Sequence, residues 1–250
     1  MEHEQKEEWF NHWFGSPYYH ILYKDRDENE ARDFLNNLCQ HLKFDKTQKI
    51  LDLACGKGRH SIYLNEQGYD VVGIDLSEDN IQHARQFEND ELKFHVHDMR
   101  EPFSQEEFDF VLNMFTSFGY FETREENYSV VRNVHRALKD EGIFVLDFLN
   151  PYTVVNHLEP EQVKEINGIR FEISKDVVDG FIEKNIHFQD QGNDYHFMER
   201  VKAIRRTEFL EYFEESGLEL KEIFGNYALQ PYEKERSERM IFVLKKTNNP

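Results

Sequence analysis

Three carboxylates and two glycines carry the chemistry this chain advertises. Asp52, Asp75 and Asp98 stand in or at the ends of three apolar runs, and Gly56 and Gly58 lie between the first two. Ile50-Leu51-Asp52-Leu53 has the make-up of a short buried strand. In the following Ala54-Cys55-Gly56-Lys57-Gly58, the glycines let the backbone pass close to a ligand where a Cβ would collide. A helical pattern carrying Ile62 and Leu64 then stops at Gly68. The start of such a helix offers unpaired N–H groups and positive dipole potential to a carboxylate or phosphate. A second run, Val71-Val72-Gly73-Ile74, ends on Asp75, where a carboxylate accepts from both hydroxyls of a ribose. Strand, glycine turn, helix, strand and acid make one βαβ unit with a nucleoside-binding layout.

The nicotinamide dinucleotide fingerprint, G-x-G-x-x-G with an acid about twenty residues on, is broken here. Ala54 holds its first glycine position and Arg59 its third. A nicotinamide-dependent oxidoreductase is therefore the second reading, and a non-catalytic module that keeps the fold is the third. Asp52-Leu53-Ala54-Cys55-Gly56-Lys57-Gly58 reads instead as D-x-A-x-G-x-G. In this it resembles the class I S-adenosylmethionine-dependent methyltransferases, whose first motif is acid-x-G-x-G-x-G after strand one.

The resemblance implies roles residue by residue. Gly56 and Gly58 give close backbone approach, and Ala54 a backbone contact to the methionine moiety of S-adenosyl-L-methionine. Asp52 orients the turn or receives the amino group. Arg59 holds the donor's carboxylate or is a solvated helix-end arginine. Asp75 takes the ribose hydroxyls, Leu76 packs the adenine, and Asp98 with Met99 reads it. Asn113 and Met114 end strand four beside the donor. The N-terminal arm folds over the cofactor, which brings in Tyr19, or its aromatics merely pack. Tyr19, His20 and Tyr120 are candidates for a base, and the catalytic residue is left unassigned. The Asn/Asp-Pro-Pro-aromatic signature of nucleic-acid amino-methylation is absent after strand four, which has Asn113-Met114-Phe115-Thr116. The implied acceptor is a small molecule methylated on N or O, with S-adenosyl-L-homocysteine as the other product.

Composition bounds the partners. Thirty basic against 49 acidic side chains give a formal net charge of −19, which repels phosphates and argues against a nucleic-acid partner. The 250 residues are 39% hydrophobic and include 22 phenylalanines, enough for a sizeable core. No apolar run approaches the roughly 20 residues that span a bilayer. The acidic start, MEHEQKEEWF, is not a secretory signal, and two cysteines form no disulfide framework, so a cytoplasmic setting is expected. The histidines are scattered and no metal constellation is expected.

These residues need elements to position them. Residues 1–45 read as a helical arm, with Trp9, Phe10, Trp13 and Phe14 on one face and a helix from Glu28 to Leu42. Residues 46–150 read as the cofactor-binding core. Ser77 caps a helix to Phe87, with Phe87 inward. Leu92–Val96 and Glu107–Leu112 are strands, Arg124–Lys139 a helix with His135 on its packing face, and Glu141-Gly142 turns into strand five, Ile143–Phe148. Five strands with helices between them predict a doubly wound, parallel sheet. Residues 151–205 read as a short helix over Thr153–Glu165 and three antiparallel strands, turning at Asp179-Gly180 and Gly192-Asn193. His187, His196 and Arg200 face a substrate or are ordinary exposed positions. In residues 206–250 Thr207 caps a last helix, and Leu218–Phe224 and Arg239–Lys245 close the fold. The resemblance makes these strands six and seven of a mostly parallel, Rossmann-like sheet, the last running antiparallel. It places the antiparallel insertion over the site as a lid, a homodimer element, or both.

Overall fold

The apolar runs of the sequence become the inner strands of one seven-stranded sheet. The computed structural model describes residues 9–24 and 28–247. The acidic residues 1–8, on which the secretory-signal expectation rests, lie outside the described residues. In chain order the elements are α1 (Trp9–Phe14), α2 (Pro17–Leu22), α3 (Glu28–His41), β1 (Lys49–Leu53), α4 (Arg59–Glu66), β2 (Asp70–Asp75), α5 (Glu78–Ala84), β3 (Leu92–Val96), β4 (Phe108–Asn113) and α6 (Arg124–Ala137). Then follow β5 (Leu138–Leu149), α7 (Pro151–Asn156), β6 (Glu161–Ile166), β7 (Ile169–Val178), β8 (Phe181–Asp190), β9 (Asn193–Lys202), α8 (Arg206–Glu215), β10 (Leu218–Phe224) and β11 (Arg239–Lys246).

The large sheet has the order β10-β11-β5-β4-β1-β2-β3, and β11 alone runs against its neighbours. Parallel pairing sets Leu53 beside Ile74 and Asp75 beside Val96, so the carboxyl ends of β1, β2 and β3 open on one edge. In open α/β sheets that edge is where ligands bind. The sheet is covered on both faces. Phe34, Leu35 and Leu38 of α3 join Leu64 and Ile81 on one side, and Val130 and Val134 of α6 join Phe209 and Phe213 of α8 on the other. Each such side chain contributes about 1.5–3 kcal/mol on burial. A second sheet, β6-β7-β8-β9, is antiparallel throughout. Its apolar face (Phe171, Ile186, Phe188 and Phe197) packs under Trp13 and Leu22 of the arm.

Several local expectations are corrected. The segment Thr153–Glu165 is not one helix: α7 ends at Asn156 and β6 begins at Glu161, closing a hairpin through Asn167-Gly168. The β8–β9 hairpin turns at Gln191-Gly192, because Asn193 already pairs with Asp190. Glu141-Gly142 does not start strand five. Leu138 already pairs with Phe108, and the ladder skips to Phe110 beside Ile143, so the pair lies in an irregular stretch within β5. Arg205, not Thr207, holds the N-cap position of α8, and its side chain makes no capping hydrogen bond. Phe87 ends a one-turn 3-10 segment and is 46% exposed, against the ring of His83 rather than the core.

Candidate functional site

The turn after β1 is held in left-handed geometry, with φ of 63° at Ala54, 57° at Gly56 and 80° at Gly58. Its two glycines serve different ends. A Cβ on Gly56 would meet nothing within 4 Å, since that face opens on a cavity of about 600 Å³. A Cβ on Gly58 would lie 2.7 Å from the ring of Phe94. Gly58 is absent from the cavity lining and its missing side chain admits Phe94, whereas Gly56 faces the cavity.

Carboxylates brace the turn from below and from the side. Asp52 is only 2% exposed and accepts from the Ser61 hydroxyl at 2.6 Å, tying β1 to the first turn of α4. Burial pushes its pKa up to about 6; Ser61 opposes the shift and the negative charge of Asp75 adds to it. Asp75 accepts the Gly56 N–H at 2.8 Å and the Ser77 N–H at 2.9 Å. Burial raises its pKa too, and those two N–H groups pull the other way. Asp52, Asp75 and Leu76 all line the cavity.

Asp98 and Met99 follow β3 and line the same cavity. Burial works against charge on Asp98, but the hydrogen bonds from Arg100 outweigh it and hold its pKa below the usual carboxylate range. The guanidinium donates to Asp98 at 2.7 Å, pairs with Glu126 at 3.2 Å and stacks on Phe121. Arg100 thereby fixes a carboxylate that would otherwise swing.

Past β4 the chain turns through Phe115 and Thr116, both with positive φ. Fully buried Asp147 holds this turn, accepting from the Phe115 N–H at 2.8 Å, with its own carbonyl taking the Thr116 N–H at 3.0 Å. Arg239 from β11 neutralises Asp147 at 2.8 Å and also donates to the Thr116 hydroxyl. Met114, Phe115, Thr116 and Arg239 line the cavity. Asn113 does not. It is fully buried, and its amide donates to the Leu53 and Ser117 carbonyls, locking β4 to β1 beneath the floor. Tyr120 lines the cavity while its hydroxyl donates to the Thr116 carbonyl at 2.6 Å.

The arm supplies the roof. Tyr19 and His20 of α2 and Trp9 and Phe14 of α1 line the cavity opposite the sheet edge. His20 lies near Asn80: burial, then the charges of Lys57 and His83, lower its pKa to about 4 against the pull of Asn80, and its Nε2 is buried with no close hydrogen-bond partner among the described residues. Arg59 lines the cavity at the start of α4, its guanidinium over the Phe115 ring and its Nε donating to His60. From β9 come Glu199 and Val201. His187, His196 and Arg200 do not line the cavity; Arg200 is paired with Glu183 and Glu122. Tyr18 turns away to Asp190.

The structure thus gathers Tyr19, Asp52, Ala54, Gly56, Arg59, Asp75, Leu76, Asp98, Met99 and Met114 around one cavity and leaves Gly58 and Asn113 behind its wall. Asp147, Arg239 and Glu199 give no signal in the sequence, because each acts through a partner distant along the chain; Arg100 sits two residues from Asp98, and only the i, i+2 spacing of the pair could have pointed to it. Among the described residues, no group of three or more His, Cys, Asp or Glu is placed to hold a metal, and no helix is long and apolar enough to cross a membrane.

Residues 50–142 match a family model described as a methyltransferase domain. YqeM of Bacillus subtilis (strain 168), which carries a provisional methyltransferase name, is 38% identical over 109 residues, 42% of this chain and 44% of that one. The dTDP-3-amino-3,4,6-trideoxy-alpha-D-glucopyranose N,N-dimethyltransferase of Streptomyces venezuelae is 34% identical over 102 residues, 41% of this chain and 43% of that one. This chain spans about half the length of the curated relatives it matches. A crystal structure of an S-adenosylmethionine-dependent methyltransferase from Clostridium acetobutylicum ATCC 824 superposes with a TM-score of 0.78, covering 92% of this chain and 96% of that one. At 20% identity that likeness is one of fold.

Proposed function

We propose that this chain, which carries a methyltransferase domain over residues 50–142 on a Rossmann-like fold, transfers a methyl group from S-adenosyl-L-methionine to N or O of a small molecule. The observation that carries the reading is the convergence of Asp75, Asp98 and the open face of Gly56 on one cavity at the carboxyl edge of the sheet. The residues suit the group. Missing its side chain, Gly56 leaves room for a close approach, Asp75 matches a diol, and Asp98 with the Met99 N–H suits the edge of an adenine. Arg59 suits a carboxylate. When bound, S-adenosyl-L-methionine supplies a sulfonium methyl, taken up by an acceptor lone pair as the carbon–sulfur bond breaks with its electrons left on sulfur.

The chain's own residues mainly align the acceptor and exclude water, a contribution worth up to about 7–11 kcal/mol. The described part of the arm, residues 9–24 and 28–45, and the insertion over residues 151–205 act in this reading as a roof on the core of 46–150 and 206–250. A cavity of about 600 Å³ suits small molecules. The Streptomyces venezuelae relative, named for an amino-sugar nucleotide, is a precedent of that size class. A cytoplasmic setting and a homodimer through the antiparallel insertion belong to the same proposal. Calorimetric titration with S-adenosyl-L-homocysteine tests the donor site: stoichiometric binding supports it and absence of binding refutes it.

A further inference from the structure

One wall of the cavity is a run of aromatic rings that ends on a carboxylate. Phe14 lies 5.3 Å from Tyr120 and 5.1 Å from Tyr19, and Tyr19 lies 4.9 Å from Tyr23, ring centre to ring centre. At the far end Tyr23 donates its hydroxyl to Glu199 at 2.5 Å, and the Trp13 indole donates to the same oxygen at 2.8 Å. The Glu199 side chain is only 18% exposed, yet it forms part of the cavity lining. Of these groups the donor reading uses Tyr19 alone, and it leaves Glu199, Phe14 and Tyr23 without a part.

A carboxylate offers about four acceptor positions. The indole, the Tyr23 hydroxyl and the Lys184 ammonium, 3.5 Å from the second oxygen, occupy three. Among the described residues about one is left for a donor arriving from the cavity. Lys184 stands outside the lining and also donates to the Tyr23 hydroxyl. Of the cations that line the cavity, Arg239 is paired with buried Asp147 and Lys24 donates to the Asn167 side chain at 2.9 Å, while Lys57 and Arg59 belong to the glycine turn and the start of α4. Ring faces attract a cation through their quadrupole, most strongly where water is thin. The net charge of −19 adds a long-range pull of the same sign. An anionic acceptor would gain from none of these, and a neutral alcohol only from the last acceptor position.

We infer that this end of the cavity takes a small organic amine in its ammonium form, held by Glu199 and the rings of Phe14, Tyr19, Tyr23 and Tyr120. As an assignment of acceptor class, this rests on the methyl-transfer reading above, in which the bound ammonium first passes one N–H proton to the Glu199 carboxylate so that a lone pair is free to attack the methyl.

The test uses cations and neutral partners of nearly the same shape: choline with 3,3-dimethylbutan-1-ol, cyclohexylamine with cyclohexanol, and benzylamine with benzyl alcohol. Each is titrated into the full chain, with and without saturating S-adenosyl-L-homocysteine. The expected result is at least one pair in which the cation binds about tenfold or more tightly than its neutral partner. Glu199→Gln keeps an oxygen for Trp13 and Tyr23 but removes the charge. It should abolish that preference, leaving the affinity for S-adenosyl-L-homocysteine within about twofold, since Glu199 lies apart from the donor residues. No cation preference in any pair overturns the inference, as does an undiminished preference in a folded Glu199→Gln variant. Should that variant fail to fold, the wild-type pairs decide alone. Loss of S-adenosyl-L-homocysteine binding with the cation preference intact would fell the donor reading and leave the cation site standing.

Discussion

The Asp75 carboxylate accepts the Gly56 N–H at 2.8 Å, joining the tip of the second strand to the turn that follows the first. One oxygen thus shapes the glycine turn, and the other takes the Ser77 N–H while the group faces the cavity. Asp75→Ala removes the ribose partner and slackens the turn together. Its dissociation constant for S-adenosyl-L-homocysteine should rise by an amount worth about 1.5–3 kcal/mol, the scale of hydrogen bonds to a charged group. Calorimetry reads it directly, and an unchanged constant would remove Asp75 from the site.

The two glycines of the turn should fail differently. Gly58→Ala drives a methyl to 2.7 Å from the Phe94 ring and imposes a left-handed φ on a residue with a Cβ. A loss of about 2–3 kcal/mol in urea unfolding is expected from strain and overpacking combined. Part of it should return on adding Phe94→Leu. Gly56→Ala meets no protein atom within 4 Å, so it should cost only about 1–2 kcal/mol. Its new methyl points into the cavity instead, and ligand affinity should fall well beyond what stability does.

What could be read in advance follows from distance along the chain. The βαβ unit from Ile50 to Asp75 is local, so its strand, turn, helix and acid were legible in order. Gly58 was legible as a glycine but not in its purpose, because Phe94 arrives from the third strand. Arg239 and Asp147 are 92 positions apart and meet only because β11 inserts beside β5. β6 escaped notice because Glu-Gln-Val-Lys-Glu-Ile carries few apolar residues and no alternation strong enough to mark a strand.

Burial of Asp52 predicts a pH dependence of stability. Its pKa in the folded chain, about 6, lies above the ordinary value near 3.9, so the protonated acid favours the folded state. The stabilising contribution is full below about pH 4 and is lost as pH rises through about 6. Asp52→Asn has no such titration. Relative to wild type it should therefore gain on the order of 2 kcal/mol between about pH 4 and pH 7.5. Denaturant melts at the two pH values measure the change; a constant difference would contradict the buried, ionising Asp52.

The Arg239–Asp147 pair holds the left-handed turn at Phe115 and Thr116. Arg239→Met strands a fully buried carboxylate and should cost about 3–5 kcal/mol. Adding Asp147→Asn makes the orphan neutral and should recover part of that loss, a sign that charge rather than packing was at fault. Chemical denaturation of the two variants provides the comparison.

The central claim is that the carboxyl edge of this sheet holds an adenosyl ligand of the sulfonium family. Parallel calorimetric titrations of the full chain with S-adenosyl-L-homocysteine and with NADH address it most directly. The account predicts one S-adenosyl-L-homocysteine bound per chain, weakened by Asp75→Ala, and no measurable heat from NADH. Tight binding of NADH with none for S-adenosyl-L-homocysteine would contradict it.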